Sequence, residues 1–352
     1  MTLSLCMIVK NEEDVLERCL SSFKGLFNEI IIVDTGSSDS TKQIAHKFTN
    51  SVYDFNWIND FSAARNYSFS LAKSDFVMWL DADDVITPTE LEKLKKLKDN
   101  LTSKTDVVML KYAVAFDEQN NTTFSYYRER ILNRSKNFVW EDPVHEVITP
   151  RGNIEYANIQ IEHRKVKPTA EGRNLKIYEE LIAQKQPLKP RQMFYFAREL
   201  YFNNKINRAI IMFKKFLKTR NGYKENYIEA CLNLSKCHQI NKNFSSAKQS
   251  LFNSFMFDTP RSEILCELGN IFMLEKNYNS AIYYFNLALN NKPNAQNGGF
   301  ILLDCYNFIP YVQLCVCHYN IKNFEQAKHY HNLAKKLKPN NLIILQNDKI
   351  FN

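Results

Sequence analysis

Three short apolar runs near the start of the chain each stop at a polar cluster. Leu3 to Val9 runs into Lys10-Asn11-Glu12, Glu29 to Val33 into Asp34-Thr35-Gly36-Ser37, and the DFVMWL stretch from Asp75 to Leu80 into Asp81-Ala82-Asp83-Asp84. Helix-like stretches fall between them, over 12–23, from about 38, and over 60–72, with a further short strand near 51–54. Short β-rich runs alternating with helices predict a mostly parallel sheet flanked by helices. Such sheets bind ligands at the carboxyl ends of their strands. All three polar clusters are expected there, so the first half reads as an α/β domain with a site at one edge of its sheet.

Two single-motif readings fail on what they require. Asp34-Thr35-Gly36 has the form of half a pepsin-like site, but two carboxylates must share a proton there, and the chain has no second copy. The run into Asp81-Ala82-Asp83 also has the form of a haloacid-dehalogenase-type nucleophile strand. That reading leaves the Asp34 cluster without a task, and a motif counts only in its structural context.

At 352 residues, 45% apolar and 24% charged, the chain suits a soluble protein of two domains. No run approaches the roughly 20 apolar residues of a membrane span, and the first strand begins without a basic leader, so no secretory signal is expected. Eight cysteines without framework spacing fit a reducing cytoplasm. Residues 1–165 hold 20 Lys/Arg against 25 Asp/Glu, whereas residues 166–352 hold 26 against 13. An acidic half with clustered aspartates suits a cation, and a basic half suits an anionic or mixed-charge partner or a solvated helical surface. No nucleic-acid-binding motif is present, and the basic residues are dispersed.

After about residue 168 the pattern becomes helix pairs with an internal repeat. Leu268-Gly269, Phe272, Ala281, Phe285, Ala288 and Pro293 fall at the signature positions of a tetratricopeptide repeat, and Ala247 precedes Ala281 by 34 residues, one repeat length. Further copies centre on Ala209 and Ala327, the last after an insertion containing Gly298-Gly299. About four repeats are therefore expected over 169–352, behind a first domain of 1–168. Cys315-Val316-Cys317-His318 looks like a metal cluster, but Cys315 falls where the repeat wants a small core residue.

Two carboxylates one residue apart, Asp81 and Asp83, can hold a hard divalent cation facing a diphosphate. Together with the blocks SLCMIVKNEEDVLERCLSSF, EIIIVDTGSSDSTKQIA, FSAARNYSFSLAKSDFVMWLDADDVI and WEDPVHEVI, this pattern resembles family 2 glycosyltransferases of the GT-A fold over roughly residues 1–165. The resemblance implies that Asp34 recognises a nucleotide base, with Ile8, Lys10 and Glu12 lining base and ribose. It places Arg65 and Asn66 by the donor, Asp81 and Ala82 near ribose or sugar, and Asp83 of the DXD motif on manganese or magnesium. Asp142 and Glu146 are rival candidates for the catalytic base, and His145 or His163 completes the metal shell. Lys165 and Lys167 form a basic flap over the diphosphate.

A family 2 domain followed by tetratricopeptide repeats resembles the sublancin-type peptide S-glycosyltransferases, which modify bacteriocins. That resemblance implies an inverting, metal-dependent, cytoplasmic enzyme that moves a hexose from UDP-glucose or a similar nucleotide sugar to Cys or Ser of a peptide or protein. The repeats would dock the acceptor or pair two subunits, since concave repeat surfaces suit extended ligands. The rival readings are a transferase building surface polysaccharide or a lipid-linked glycan, and a non-catalytic repeat scaffold.

Overall fold

The structure, a computed structural model, describes residues 1–117, 119–167, 172–293 and 301–351. The expected domain boundary at 168 and Gly298-Gly299 lie outside the described residues. The chain divides into two compact units, Met1–Gln186 and Pro187–Asn352. The first unit therefore continues past the expected boundary and takes in a helix that the sequence pattern had assigned to the repeats.

The first unit is built on one eight-stranded sheet: β1 (Leu3–Val9), β2 (Glu29–Asp34), β3 (Val52–Asp54), β4 (Phe76–Trp79), β5 (Asp84–Val85), β6 (Val107–Phe116), β7 (Thr122–Asn133) and β8 (Ile154–His163). Its order is β3-β2-β1-β4-β7-β6-β8-β5. The first four strands are mutually parallel, β7 runs antiparallel to both β4 and β6, and β8 runs parallel to β6. Strand side chains alternate between faces, and here both faces are buried. Leu3, Leu5, Met7, Val9 and Ile32 enter one core, while Cys6, Ile31, Val33 and Trp79 enter the other. The chain winds outward from β1 to β2 and β3, then returns to place β4 on the other side of β1. This reversal of strand order opens a crevice at the carboxyl ends of β1, β2 and β4, and register brings Val9 beside Asp34 and Asp34 beside Asp54.

Helices α1 (Leu16–Ser22), α2 (Thr41–His46), α3 (Phe61–Ser70), α4 (Pro88–Asn100) and α5 (Arg173–Ala183) complete this unit. The Asp60 side chain caps α3 by accepting from Ala63 N–H, and Thr87 caps α4 ahead of Pro88, as short oxygen-bearing side chains do for the unpaired amides of a first turn.

The second unit is helical: α6 (Pro190–Phe202) with α7 (Ile206–Leu217), α8 (Lys224–Ile240) with α9 (Phe244–Asn253), α10 (Ser262–Leu274) with α11 (Tyr278–Leu289), α12 (Phe308–Asn320) with α13 (Phe324–Leu337), and α14 (Leu342–Phe351). The four alanines that mark the repeats, Ala209, Ala247, Ala281 and Ala327, are fully buried, because a larger side chain there would hold the paired helices apart. Cys315 and Cys317 are likewise buried in the core, and His318 stacks on Tyr330 at 5.4 Å. They are packing residues. No helix among the described residues is long and apolar enough to cross a membrane.

Gly269 shows how tight this packing is: a Cβ added there would lie 2.6 Å from the ring of fully buried Phe285. Gly269→Ala is expected to destabilise the protein by about 1–3 kcal/mol through overpacking, a cost that exceeds the roughly 1 kcal/mol of helix propensity gained. Denaturation of the two proteins by urea measures the difference; an unchanged or raised midpoint would contradict the packing.

Candidate active site

Asp34 ends β2 beside the β1 terminus. Its Oδ1 accepts the N–H groups of Gly36 and Ser37, each at 2.9 Å. That turn needs a left-handed residue, and Gly36 supplies it at φ 101°. Thr35 ties the turn to β1 through its hydroxyl on the Val9 carbonyl, 3.1 Å. The other carboxylate oxygen of Asp34 is buried and has no hydrogen-bond partner among the described residues. A buried carboxylate oxygen left unpaired is costly, so this oxygen is poised for an outside donor.

Of the neighbouring predicted residues, Ile8 is half-buried and paired with Val33, and Lys10 is exposed. Glu12 faces the aspartate cluster. Burial and the charge of Asp83 push its carboxyl up to about 7, with Asp81 and Asp39 adding and Lys167 opposing.

At the end of β4 the chain turns through Asp81–Asp84 into β5, which pairs with β8 so that Asp84 lies opposite His163. Asp84 is fully buried. Its Oδ2 meets Arg130 Nη1 at 3.0 Å and accepts the Asp81 N–H at 3.0 Å, while its Oδ1 accepts the Tyr112 hydroxyl at 2.9 Å. Arg130, also fully buried, lies over the rings of Trp79 (3.8 Å) and Tyr112 (4.2 Å). Asp81 accepts from Arg65 Nη2 at 2.7 Å. Burial works to raise its carboxyl, but the charges of Arg65 and Arg130 prevail and hold it below the usual carboxylate range. Asp83 lies 3.1 Å from His163 Nδ1. Burial pulls the His163 ring down, but hydrogen bonds to Asp83 and Asp84 outweigh it and push the ring up to about 10.

Among the described residues, Asp81, Asp84 and His163 offer ligand atoms within 4.8 Å of one another. Carboxylate oxygens with a single imidazole suit a hard divalent cation. Within this group Asp84 is engaged by Arg130 and Asp81 by Arg65, and Asp83 adds a further carboxylate 3.1 Å from His163. His145 is not in this cluster; its ring stacks on Tyr178 at 6.4 Å.

The segment Trp140–Ile148 forms a third wall. Glu141 and Val147 exchange backbone hydrogen bonds, and between them Asp142 and His145 hold φ of 71° and 54°. Left-handed non-glycine residues cost on the order of 1 kcal/mol or more each, so neighbours must hold them. Asn66 accepts from Trp140 N–H at 2.8 Å and donates to its carbonyl at 2.9 Å, which makes it an anchor for this loop. Arg65 donates from Nε to Glu146 at 2.7 Å while its Nη2 holds Asp81, and Trp140 lies 4.8 Å beneath it. One guanidinium thus joins a candidate base to the acid turn.

The family described as glycosyl transferase family 2 matches residues 4–151, and a tetratricopeptide repeat family matches residues 262–294. The likeness to glycosyl transferase family 2 thus lies in the first half of the chain. The SPbeta prophage-derived glycosyltransferase SunS of Bacillus subtilis is 30% identical over 237 residues, covering 64% of this chain and 54% of that protein. A TPR repeat-containing protein of Synechococcus elongatus is 34% identical over 146 residues, 41% of this chain and 35% of that one. An uncharacterized glycosyltransferase of Rickettsia bellii is 25% identical over 135 residues, 38% and 40% respectively. The chain spans about half or less of the length of these relatives.

Asp84, Tyr112 and Arg130 escape a motif-based reading of the family 2 domain. A signal exists for one of them: Arg130 closes the charged run Arg128-Glu129-Arg130 and stands directly before apolar Ile131-Leu132 in β7. Arg130→Met should leave Asp84 buried beside an incomplete set of partners and destabilise the protein by about 3–5 kcal/mol, the cost of breaking a buried pair from one side. The double variant with Asp84→Asn should recover part of that loss. Urea unfolding of the three variants tests this, and additive losses would refute the pairing.

Proposed function

We propose that this chain is an inverting, metal-dependent glycosyltransferase that moves a hexose from a nucleotide sugar, UDP-glucose or a close relative, to a Cys or Ser side chain of a peptide or protein. The observation that carries the reading is the buried oxygen of Asp34, unpartnered among the described residues, at the end of β2, with the Asp81–Asp83 turn following β4 on the other side of β1. A pyrimidine base offers the N–H that this oxygen lacks, and a diphosphate offers the charge that suits a cation at the acid turn. The family 2 match and the likeness to a protein named as a glycosyltransferase support the same chemistry.

In this reading Asp34 fixes the base, Ile8, Lys10 and Glu12 line it, and Asp81 with Ala82 faces ribose or sugar. Asp83 and His163 would hold manganese or magnesium, which when bound neutralises the departing diphosphate. The acceptor sulfur or oxygen attacks the anomeric carbon from the face opposite the leaving group, and the bond to the diphosphate oxygen breaks with its electron pair. The acceptor proton passes to a carboxylate of the 140–148 loop, Asp142 or Glu146. A thiol, with an ordinary pKa near 8.5, surrenders that proton more readily than a hydroxyl. The repeats present the acceptor or pair two copies of the chain.

Mass spectrometry of a peptide panel incubated with several nucleotide sugars and manganese tests the reading. Addition of one hexose mass to Cys or Ser supports it. Donor turnover that needs a lipid or glycan acceptor moves the assignment to glycan assembly, and no turnover of any donor leaves the scaffold reading.

Two substitutions divide the site. Asp34→Ala should weaken nucleoside diphosphate binding by about 1.5–3 kcal/mol, the range for hydrogen bonds to charged groups, as read by calorimetry; unchanged affinity would reject base recognition. Asp83→Asn should abolish turnover with the fold intact by circular dichroism, and EDTA should do the same to the unaltered chain. Activity that ignores both would remove the metal.

A further inference from the structure

We propose that α5, which lies beyond the residues matched by the family, is a working part of the catalytic domain. It holds the 140–148 loop against the donor crevice, and Tyr178 is its positioning residue. The proposal rests on the functional reading above for its kinetic arm only.

The family match ends at residue 151, yet the compact unit that contains it runs to Gln186. α5 buries Leu175, Ile177 and Tyr178 on one face. Tyr178 is 1% exposed, its hydroxyl donates to the Val144 carbonyl at 3.4 Å, and its ring stacks on His145 with the planes 20° apart. The same helix reaches the entry of α3. Glu180 accepts from Asn59 Nδ2 at 2.9 Å, and the Arg173 guanidinium lies 4.8 Å over the Phe61 ring. Phe61 in turn donates its N–H to the Pro143 carbonyl at 2.8 Å.

These contacts interleave along the loop. α3 holds it at Trp140 through Asn66, at Pro143 through Phe61 and at Glu146 through Arg65. α5 holds the interval at Val144 and His145. His145 is one of the two left-handed residues, and such a conformation persists only where the surroundings over-determine it. Asp142 and Glu146 flank that interval, so its position sets where either carboxylate meets an acceptor. In that reading the donor contacts come from the ends of β1, β2 and β4 and from His163 of β8, and none lies on α5. Loosening α5 should therefore disturb acceptor chemistry while sparing donor affinity.

The test uses the full chain with Tyr178→Leu, Tyr178→Phe and Glu180→Ala. Hydrogen exchange should show the amides of Val144–Val147 in Tyr178→Leu opening about 10-fold faster or more, with β1 and β4 unchanged. Transfer should lose about 10-fold or more in kcat, as expected when a catalytic group is misplaced, while UDP affinity by calorimetry stays within about 2-fold. Tyr178→Phe, which keeps the ring, should restore kcat to within about 3-fold, and Glu180→Ala, which leaves the core untouched, should show the same pattern in weaker form. Unchanged loop exchange in both Tyr178→Leu and Glu180→Ala would overturn the proposal, as would parallel losses of kcat and UDP affinity. Should Tyr178→Leu fail to fold, Glu180→Ala decides alone by the same criteria. A wild-type chain without transfer would sink the functional reading, and the exchange arm would still decide whether α5 holds the loop.

Discussion

The buried pair of Arg130 and Asp84 fixes the geometry on which the acid turn depends. It joins β7 to β5 beneath the site, and both residues are withdrawn from water. Burying two charges is expensive unless geometry and further hydrogen bonds compensate. Here Tyr112 and the Asp81 N–H serve Asp84 and the Trp79 carbonyl serves Arg130 Nη1, while Nε and Nη2 of Arg130, without hydrogen-bond partners among the described residues, are covered by the Trp79 and Tyr112 rings. With Asp84 anchored, the turn before it has little freedom, and Asp81 and Asp83 are presented from a fixed backbone. Negative charge is thereby concentrated at one strand end, with Arg65, Arg130 and His163 beside it, and carboxylate oxygens so gathered suit a divalent ion.

Arg65 carries this rigidity across to the loop. A planar guanidinium can serve two carboxylates from different nitrogens, and Arg65 does so with Asp81 and Glu146 while lying over the rings of both Trp79 and Trp140. One side chain therefore links the acid turn to the loop of candidate bases. The helical unit follows a different logic: each helix pair buries an alanine against its partner and lends its remaining apolar face to the next pair, the near-neighbour packing of repeat arrays.

Much of this was legible in the sequence because its signals are local. Apolar runs with period two, Asp60 and Thr87 ahead of their helices, and alanines 34 residues apart each act through neighbours in the chain or through one repeated contact. Asp34, Asp81 and Asp83 could be placed at strand ends before any coordinates, since a strand that stops in polar residues must stop at the sheet's edge. The sheet's far side was less legible. β6, β7 and β8 are long, partly polar strands, and their pairing is nonlocal, so Tyr112, Arg130 and His163 meet from positions with no common motif.

What the sequence by itself determined was the fold of each half, the likeness of the first to glycosyl transferase family 2, and which strand ends carry carboxylates. Tertiary structure decided how those carboxylates are divided. Asp83 and Asp84 both reach His163 Nδ1, at 3.1 and 3.3 Å, but only the fully buried Asp84 also pairs with Arg130. It also decided that Asn66 anchors a loop, that His145 stacks on Tyr178 away from the acid cluster, and that α5 belongs to the first unit. Each of these depends on two segments far apart in sequence being brought within hydrogen-bond or stacking distance, which residue type and spacing along one chain do not encode.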